Sequence, residues 1–284
     1  MSDNMSGAAG FELHCHSWHS KGKKIPWEGI SPPGMIARTL KRKGISGFAI
    51  TDHDSIKSWK EASGEARRLG LVHIPAVEIS TASGHVIGLG ITESVPAGMP
   101  VEETVDEIRS QGGIAVAPHP FDIRNEGVKN EFSKCDAVET FNSLNLTKIE
   151  NMIAARKARR LRMPAVGGSD AHLLQALGAT VNYIDASDAD SALKKIKKGK
   201  VLIEGKYIPV PVIVWWIRER MRMSYADIEE YIDRNYSAPR ANVSRFFLNK
   251  FVKSDSPFWN FVGNAAVNLS IAYSIPKNII SKFL

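Results

Sequence analysis

As far as Gly205 the chain alternates short apolar runs with amphipathic stretches, and this alternation constrains the fold more than any other feature. The runs at 11–14, 47–51, 73–79, 85–90, 114–117, 137–140, 165–168 and 179–184 are apolar or β-branched and bounded by Gly, Pro, Asp or Ser, as strands are. Helical patterns at 33–43, 56–69, 101–111, 145–161 and 189–198 lie between most of them, several ending at glycine. Strands alternating with helices predict an α/β fold with a parallel sheet or barrel. Ser83-Gly84 breaks the rhythm and reads as the turn of a hairpin.

The polar residues that end these strands carry the functional signal. The first strand ends in His14-Cys15-His16. Residues i and i+2 of a strand share a face, so both imidazoles point one way and Cys15 the other, as a small packed hydrophobe. The second strand ends in Thr51-Asp52-His53-Asp54, the third in Glu78, and the fourth opens with His85. The fifth ends in Pro118-His119-Pro120 and the seventh in Ser169-Asp170-Ala171-His172. Each alone has an ordinary reading as a cap or surface residue. Jointly, six of the eight histidines fall at strand termini with Glu78 and Asp170, the side where βα folds place their sites. Neutral imidazole with carboxylate suits Zn, Mn or Fe, whereas Ca and Mg prefer oxygen ligands. Eight such residues exceed the needs of one ion and suit two or three.

At this point the motifs are familiar. HCHS at 14–17, TDHD at 51–54, EIS at 78–80, GHVIGLG at 84–90, HPFD at 119–122 and GSDAH at 168–172 resemble the PHP (polymerase and histidinol phosphatase) family over residues 11–205. The resemblance implies a distorted (β/α)7 barrel with a trinuclear divalent metal centre, and hydrolysis of a phosphate ester by a metal-bridging hydroxide. It implies His14, His16 and Asp170 at the first metal, Glu78 as bridge, His85 and His119 at the second, and His53 and His172 at the third. Catalysis would rest on Glu78, Asp170, His172 and Asp52, with Asp52 and Asp54 orienting His53. Lys21 stands where many members carry Asp or His, and lysine is a poor ligand. His19 is favoured over Glu28 to fill that place. Lys21 either points at a substrate phosphate or is a solvated loop residue. Arg124 either contacts phosphate or pairs with Asp122 or Glu126.

The substrate class implied is a nucleotide, an oligonucleotide end or a small phosphorylated metabolite. A non-catalytic accessory module and an amidohydrolase-like hydrolase of a non-phosphate bond are the alternatives. Residues 1–10 read as a flexible N-terminus, 11–205 as the phosphoesterase domain and 206–284 as a mainly helical basic, aromatic extension. The formal charge is +7, and eleven basic against six acidic residues from Lys206 onward carry most of it. The metal-bearing region is nearly balanced, so an anionic substrate is inferred from the ligands and not from net charge. The stretch 148–162, with Arg156, Lys157, Arg159, Arg160 and Arg162, reads as a solvated face before a nucleic-acid patch. His73, in a buried-looking strand, reads as structural. The aromatic tail reads as packed helices, with a partner surface or weak peripheral membrane contact as alternatives. Two cysteines cannot staple a secreted fold, and a reducing cytoplasm is the simpler reading. The polar opening residues do not read as a signal peptide, and no apolar run is long enough for a membrane span.

Overall fold

A computed structural model of the chain describes residues 7–22, 25–254 and 256–283, the last ten as backbone only. Of the N-terminal stretch 1–10, residues 1–6 lie outside the described residues, and the first strand opens at Ala9. The first sheet contains β1 (Ala9–Cys15), β2 (Gly47–Ile50), β3 (Val72–His73), β9 (Thr180–Ile184) and β10 (Leu202–Gly205), in the order β10-β9-β1-β2-β3. The second is β4 (Ala76–Ser80), β5 (His85–Leu89), β6 (Ile114–Ala117), β7 (Ala137–Asn142) and β8 (Ala165–Gly168), in sequence order. Helices α1 (Pro33–Arg42), α2 (Trp59–Leu69), α3 (Val101–Ser110), α4 (Lys148–Leu161) and α5 (Ala189–Lys197) alternate with the strands. Four more follow: α6 (Val210–Met223), α7 (Tyr225–Asn235), α8 (Ala238–Lys253) and α9 (Pro257–Phe283).

Both sheets are mixed. β1–β2–β3 and β6–β7–β8 run parallel, while the β4–β5 hairpin and the β9–β10 pair are antiparallel. The hairpin turns at Ser83-Gly84 as expected, and Gly84 needs its positive φ of 144° there. The single strand anticipated over 73–79 is two, because Pro75 has no N–H to continue a ladder. The chain leaves the first sheet at β3 and enters the second at β4. β10 was not anticipated.

The ladders stop short of the expected closed barrel. Among the described residues only single bridges, Cys15 with Ala171 and His53 with Glu78, join the two sheets. Between β8 and β9 the Asn182 side chain replaces a ladder, accepting from Gly167 N–H at 2.8 Å and donating to Gly167 C=O at 2.7 Å. An apolar interior of Phe11, Ile74, Ile87, Leu89 and Ile196 lies behind the strand ends. At burial near zero exposure, each such side chain contributes roughly 1.5–3 kcal/mol.

α4 opens with a capping box of Thr147 and Glu150. Ala154 and Ala158 face inward while Arg156, Arg159 and Arg160 are exposed, the geometry of a solvated basic face. No helix among the described residues is long and apolar enough to cross a membrane. Cys15 and Cys135 are buried. Burial pushes the Cys135 thiol up to about 12 and the Cys15 thiol well above its ordinary value. The native protein is therefore expected to show no fast-reacting thiol towards an aromatic disulfide reagent, and two after unfolding. A rapid native signal would refute this packing.

Candidate metal centre

The strand period places the first ligand-type pair. His14 and His16 leave β1 on one face, with their Nε2 atoms 3.2 Å apart, while Cys15 turns away and its Sγ reaches Ala49 C=O. Glu78 projects from β4 between five imidazoles. Its Oε1 lies 3.0 Å from His119 Nε2 and 3.1 Å from His85 Nδ1. Its Oε2 lies 3.2 Å from both His14 Nε2 and His16 Nε2, and 3.6 Å from His53 Nδ1. Asp170 Oδ1 closes the other side, 3.5 Å from His14 Nε2 and 3.4 Å from His16 Nε2. His172 sets its Nδ1 against Asp170 C=O at 2.8 Å and stacks on His16. His119 and Asp170 adopt positive φ of 27° and 51°. Such backbone costs about 1–3 kcal/mol and persists where surroundings demand it.

Four sets of three ligand-type side chains converge within 4.8 Å: His14–His16–Glu78, His14–His119–Asp170, His16–His53–His172 and His53–Glu78–His85. Together they contain the eight residues singled out from the strand ends, and among the described residues no others. The site also fits cations by an independent criterion. His53 Nδ1 and His85 Nδ1 are buried, aimed at Glu78, and without a hydrogen bond. Leaving such atoms unpaired is costly unless something accepts their lone pairs.

Electrostatics match. Burial alone would raise the Glu78 carboxyl, but the surrounding histidines hold it well below the usual range. Asp170 is likewise held low by His14 and His16 against the effect of burial. Burial pushes His53 down to about 3 and His172 well below its ordinary value, so both stay neutral and able to donate a lone pair. Burial would also depress His16 and His119. The carboxylates of Asp170 and Glu78 overcome it and raise both to about 9 in the metal-free cage.

Sequence reasoning missed the residues that hold this cage. Glu139, in the middle of β7, accepts from His14 Nδ1 at 2.7 Å and turns Nε2 inward. Its other oxygen accepts from His119 N–H and Asn142 Nδ2, both at 2.9 Å. Such support of a ligand histidine fixes its tautomer and orientation. Glu12, pushed up to about 7 by burial, accepts from Gly178 N–H and His14 N–H and braces β1 from below. Charged residues inside otherwise buried strands were the available signal.

The structure alters the peripheral assignments. Asp52 accepts from Ser17 N–H and Oγ at 2.6 and 2.7 Å, and Asp54 from Ser80 N–H at 2.8 Å. Neither carboxylate meets the His53 imidazole, so Asp52 pins the loop after His16 instead of orienting His53. His19 joins none of the ligand sets, and its ring accepts from Trp18 Nε1. Glu28 is the residue beside the third set, 3.4 Å from His53 Nε2 and 4.0 Å from His172 Nε2. Lys21 Nζ sits 3.1 Å over the Trp27 ring. Arg124 pairs with both Asp122 and Glu126 and also lies 3.6 Å from Asp170. His73 stays apart, tilted against Phe48 and pushed down to about 4 by burial.

The extension reaches the site. Trp216 of α6 packs on His172 with ring centres 4.5 Å apart and donates to Glu28 C=O. Arg220, one turn on, donates to Trp27 C=O and lies 3.6 Å from Glu28. A cleft of about 690 Å³ opens from the ligand cage, with Lys21, Arg124 and Arg220 on its walls.

Comparison with known proteins bears on the family and the fold. A family model described as PHP-associated matches residues 148–201. An uncharacterized protein of Methanocaldococcus jannaschii is 35% identical over 51% of this chain and 89% of its own. A 3',5'-nucleoside bisphosphate phosphatase of Chromobacterium violaceum is 36% identical over 31% of this chain, and the match spans only 30% of that enzyme. Among solved structures, a two-domain Bacteroides vulgatus protein containing a predicted PHP-like metal-dependent phosphoesterase superposes with a TM-score of 0.60. It is 15% identical, covering 78% of this chain and 72% of that one, a likeness of fold.

Proposed function

Since the chain belongs to the PHP family of metal-dependent phosphoesterases, we propose that it hydrolyses a phosphate ester at the Glu78-centred cage. The observation that carries this reading is the pair of buried nitrogens, His53 Nδ1 and His85 Nδ1, that face one carboxylate inside a ring of histidines without a hydrogen bond. We further assign residues 11–205 to the catalytic domain, its two sheets being the halves of a distorted (β/α)7 barrel, and 206–284 to an extension that covers one side of the site.

His14, His16 and Asp170 would hold a first divalent ion, His85 and His119 a second, and Glu78 would bridge them. His53 and His172 would hold a third, with Glu28 at the place expected of His19. Two or three ions of Zn, Mn or Fe suit this donor set. Such ions supply a water acidified enough to attack phosphorus at neutral pH, and neutralise the ester's charge. The chain's own residues do the remaining work. Glu139 and Ser20 hold the His14 and His16 rings from behind, at 2.7 and 3.2 Å. Arg124, steadied by Asp122 and Glu126, and Lys21, steadied on Trp27, present cationic groups to the non-bridging oxygens. Trp216 shields His172 from bulk water. The phosphatase among the relatives supports a nucleotide or other small phosphorylated substrate.

The test combines elemental analysis with phosphate release from an aryl phosphate, nucleotides and short oligonucleotides. Purified protein should carry Zn, Mn or Fe and release phosphate, and His16→Ala should lose about a hundredfold or more in turnover. Undiminished turnover after metal removal would overturn the proposal.

A further inference from the structure

The metal cleft is not the only cavity the extension builds. A second, of about 750 Å³, lies among α6, α7, α8 and α9 and is lined almost wholly by aliphatic and aromatic side chains. The two share four lining residues, Ile25, Ile217, Ala266 and Val267, so they meet at these side chains. The helical period of α6 explains how one element serves both. Ile213, Trp216 and Arg220 form one stripe and face the metal cleft. Val214 and Met221 form the neighbouring stripe and face the apolar cavity, and Ile217 lies on the border between them. The far end of the cavity is open, where Val243 and Phe247 are 56% and 53% exposed.

Resting on the phosphoesterase reading, we propose that the substrate is an amphiphilic phosphate ester whose alcohol is a long apolar chain, alkyl or isoprenoid. Its phosphate sits at the cationic, ligand-lined end of the cleft beside Arg124 and Lys21. Its chain passes the Ile217–Val267 border and lies in the apolar cavity. No side chain lining that cavity is charged, and Ser244, Tyr231, Tyr236 and Trp259 alone among them carry a hydroxyl or N–H, so a purine there would find few partners for its ring nitrogens and amino group. A hydrocarbon leaves nothing unpaired and gains about fourfold in affinity for each methylene taken from water. Hydrolysis then yields inorganic phosphate and the free apolar alcohol, the water oxygen going to phosphorus and a proton to the departing alkoxide.

The experiment uses the full metal-loaded chain and ethyl, butyl, hexyl, octyl and decyl phosphates below their micelle-forming concentrations. Phosphate release gives kcat/KM and calorimetry gives binding. kcat/KM should climb by about threefold per methylene until the cavity is filled. Val243→Trp, an exposed position that a large ring can fill without disturbing the core, should lower the octyl-to-ethyl ratio by about tenfold or more. A flat series in a protein active on ethyl phosphate, or a nucleoside monophosphate preferred over decyl phosphate, overturns the inference while leaving the phosphoesterase reading in place. Inactivity on every ester, with binding that still strengthens along the series and weakens in Val243→Trp, overturns the phosphoesterase reading and upholds the apolar-chain site. Inactivity with no chain-length dependence of binding overturns both.

Discussion

Glu78→Gln is expected to cut phosphate release by about a thousandfold or more and to strip the protein of most of its metal, with little change in shape. Glutamine keeps the volume and removes the charge. That charge faces five imidazoles, with Oε1 at 3.0–3.1 Å from His119 and His85 and Oε2 at 3.2 Å from His14 and His16. One end of a glutamine is an NH₂ donor. It would turn two hydrogens towards nitrogens that must offer lone pairs inward. Removing one partner from a buried charged cluster costs about 3–5 kcal/mol, which is the thousandfold scale when it falls on ion binding or the barrier. The measurement is turnover together with metal content, on variant and parent purified alike. If Glu78→Gln retained both within tenfold, the bridging role would be wrong. The metal-free cage should feel the change as well. His16 and His119 are held at about 9 largely by carboxylates that include Glu78, so the variant should bind fewer protons near pH 8 than the parent. The sign follows from loss of the anion that stabilised the imidazolium form.

What could be read from sequence here was set by periodicity. On a strand, the two-residue repeat fixes which side chains share a face, so His14 with His16 and the neutral packing of Cys15 followed without a structure. The hairpin at Ser83-Gly84 brought His85 back towards Glu78 by turn chemistry alone. Loops carry no such repeat. His19, Lys21 and Glu28 lie in one loop stretch, and nothing local says which of them turns inward. Glu28 is held there by Trp216 and Arg220 of α6, nearly two hundred residues away. Glu139 was hidden for a different reason. Its strand reads as an ordinary buried run, and only the rule that a buried carboxylate needs partners would have marked it. The pairing of β8 with β9 through Asn182, which leaves the ladders short of a closed barrel, depends on a side chain whose partner is 15 residues back in sequence.

Gly168→Ala should be among the damaging methyl groups that can be added near the centre. Gly168 ends β8 directly behind Glu139, and a Cβ there would lie 1.9 Å from Glu139 Oε1 and 2.6 Å from its Cδ. Glu139 can yield only by giving up its partners. The same Oε1 holds His14 Nδ1, and Oε2 takes His119 N–H and Asn142 Nδ2. Either the carboxylate is pushed off His14, freeing that ring to rotate, or β7 and β8 are forced apart. Overpacking and broken buried hydrogen bonds together give an expected loss of about 2–4 kcal/mol in stability. Loosening His14 adds a drop in metal affinity of about 10–100-fold. Gly64→Ala is the matched contrast. Gly64 lies inside α2 with nothing within 4 Å of the added Cβ, and alanine there should stabilise the helix by about 0.5–1 kcal/mol. Thermal melts of the two variants should therefore move in opposite directions from the parent. Metal titration should distinguish them again, weaker for Gly168→Ala and unchanged for Gly64→Ala. Parent-like melting and metal affinity in Gly168→Ala would mean that Glu139 does not hold His14 in the working protein.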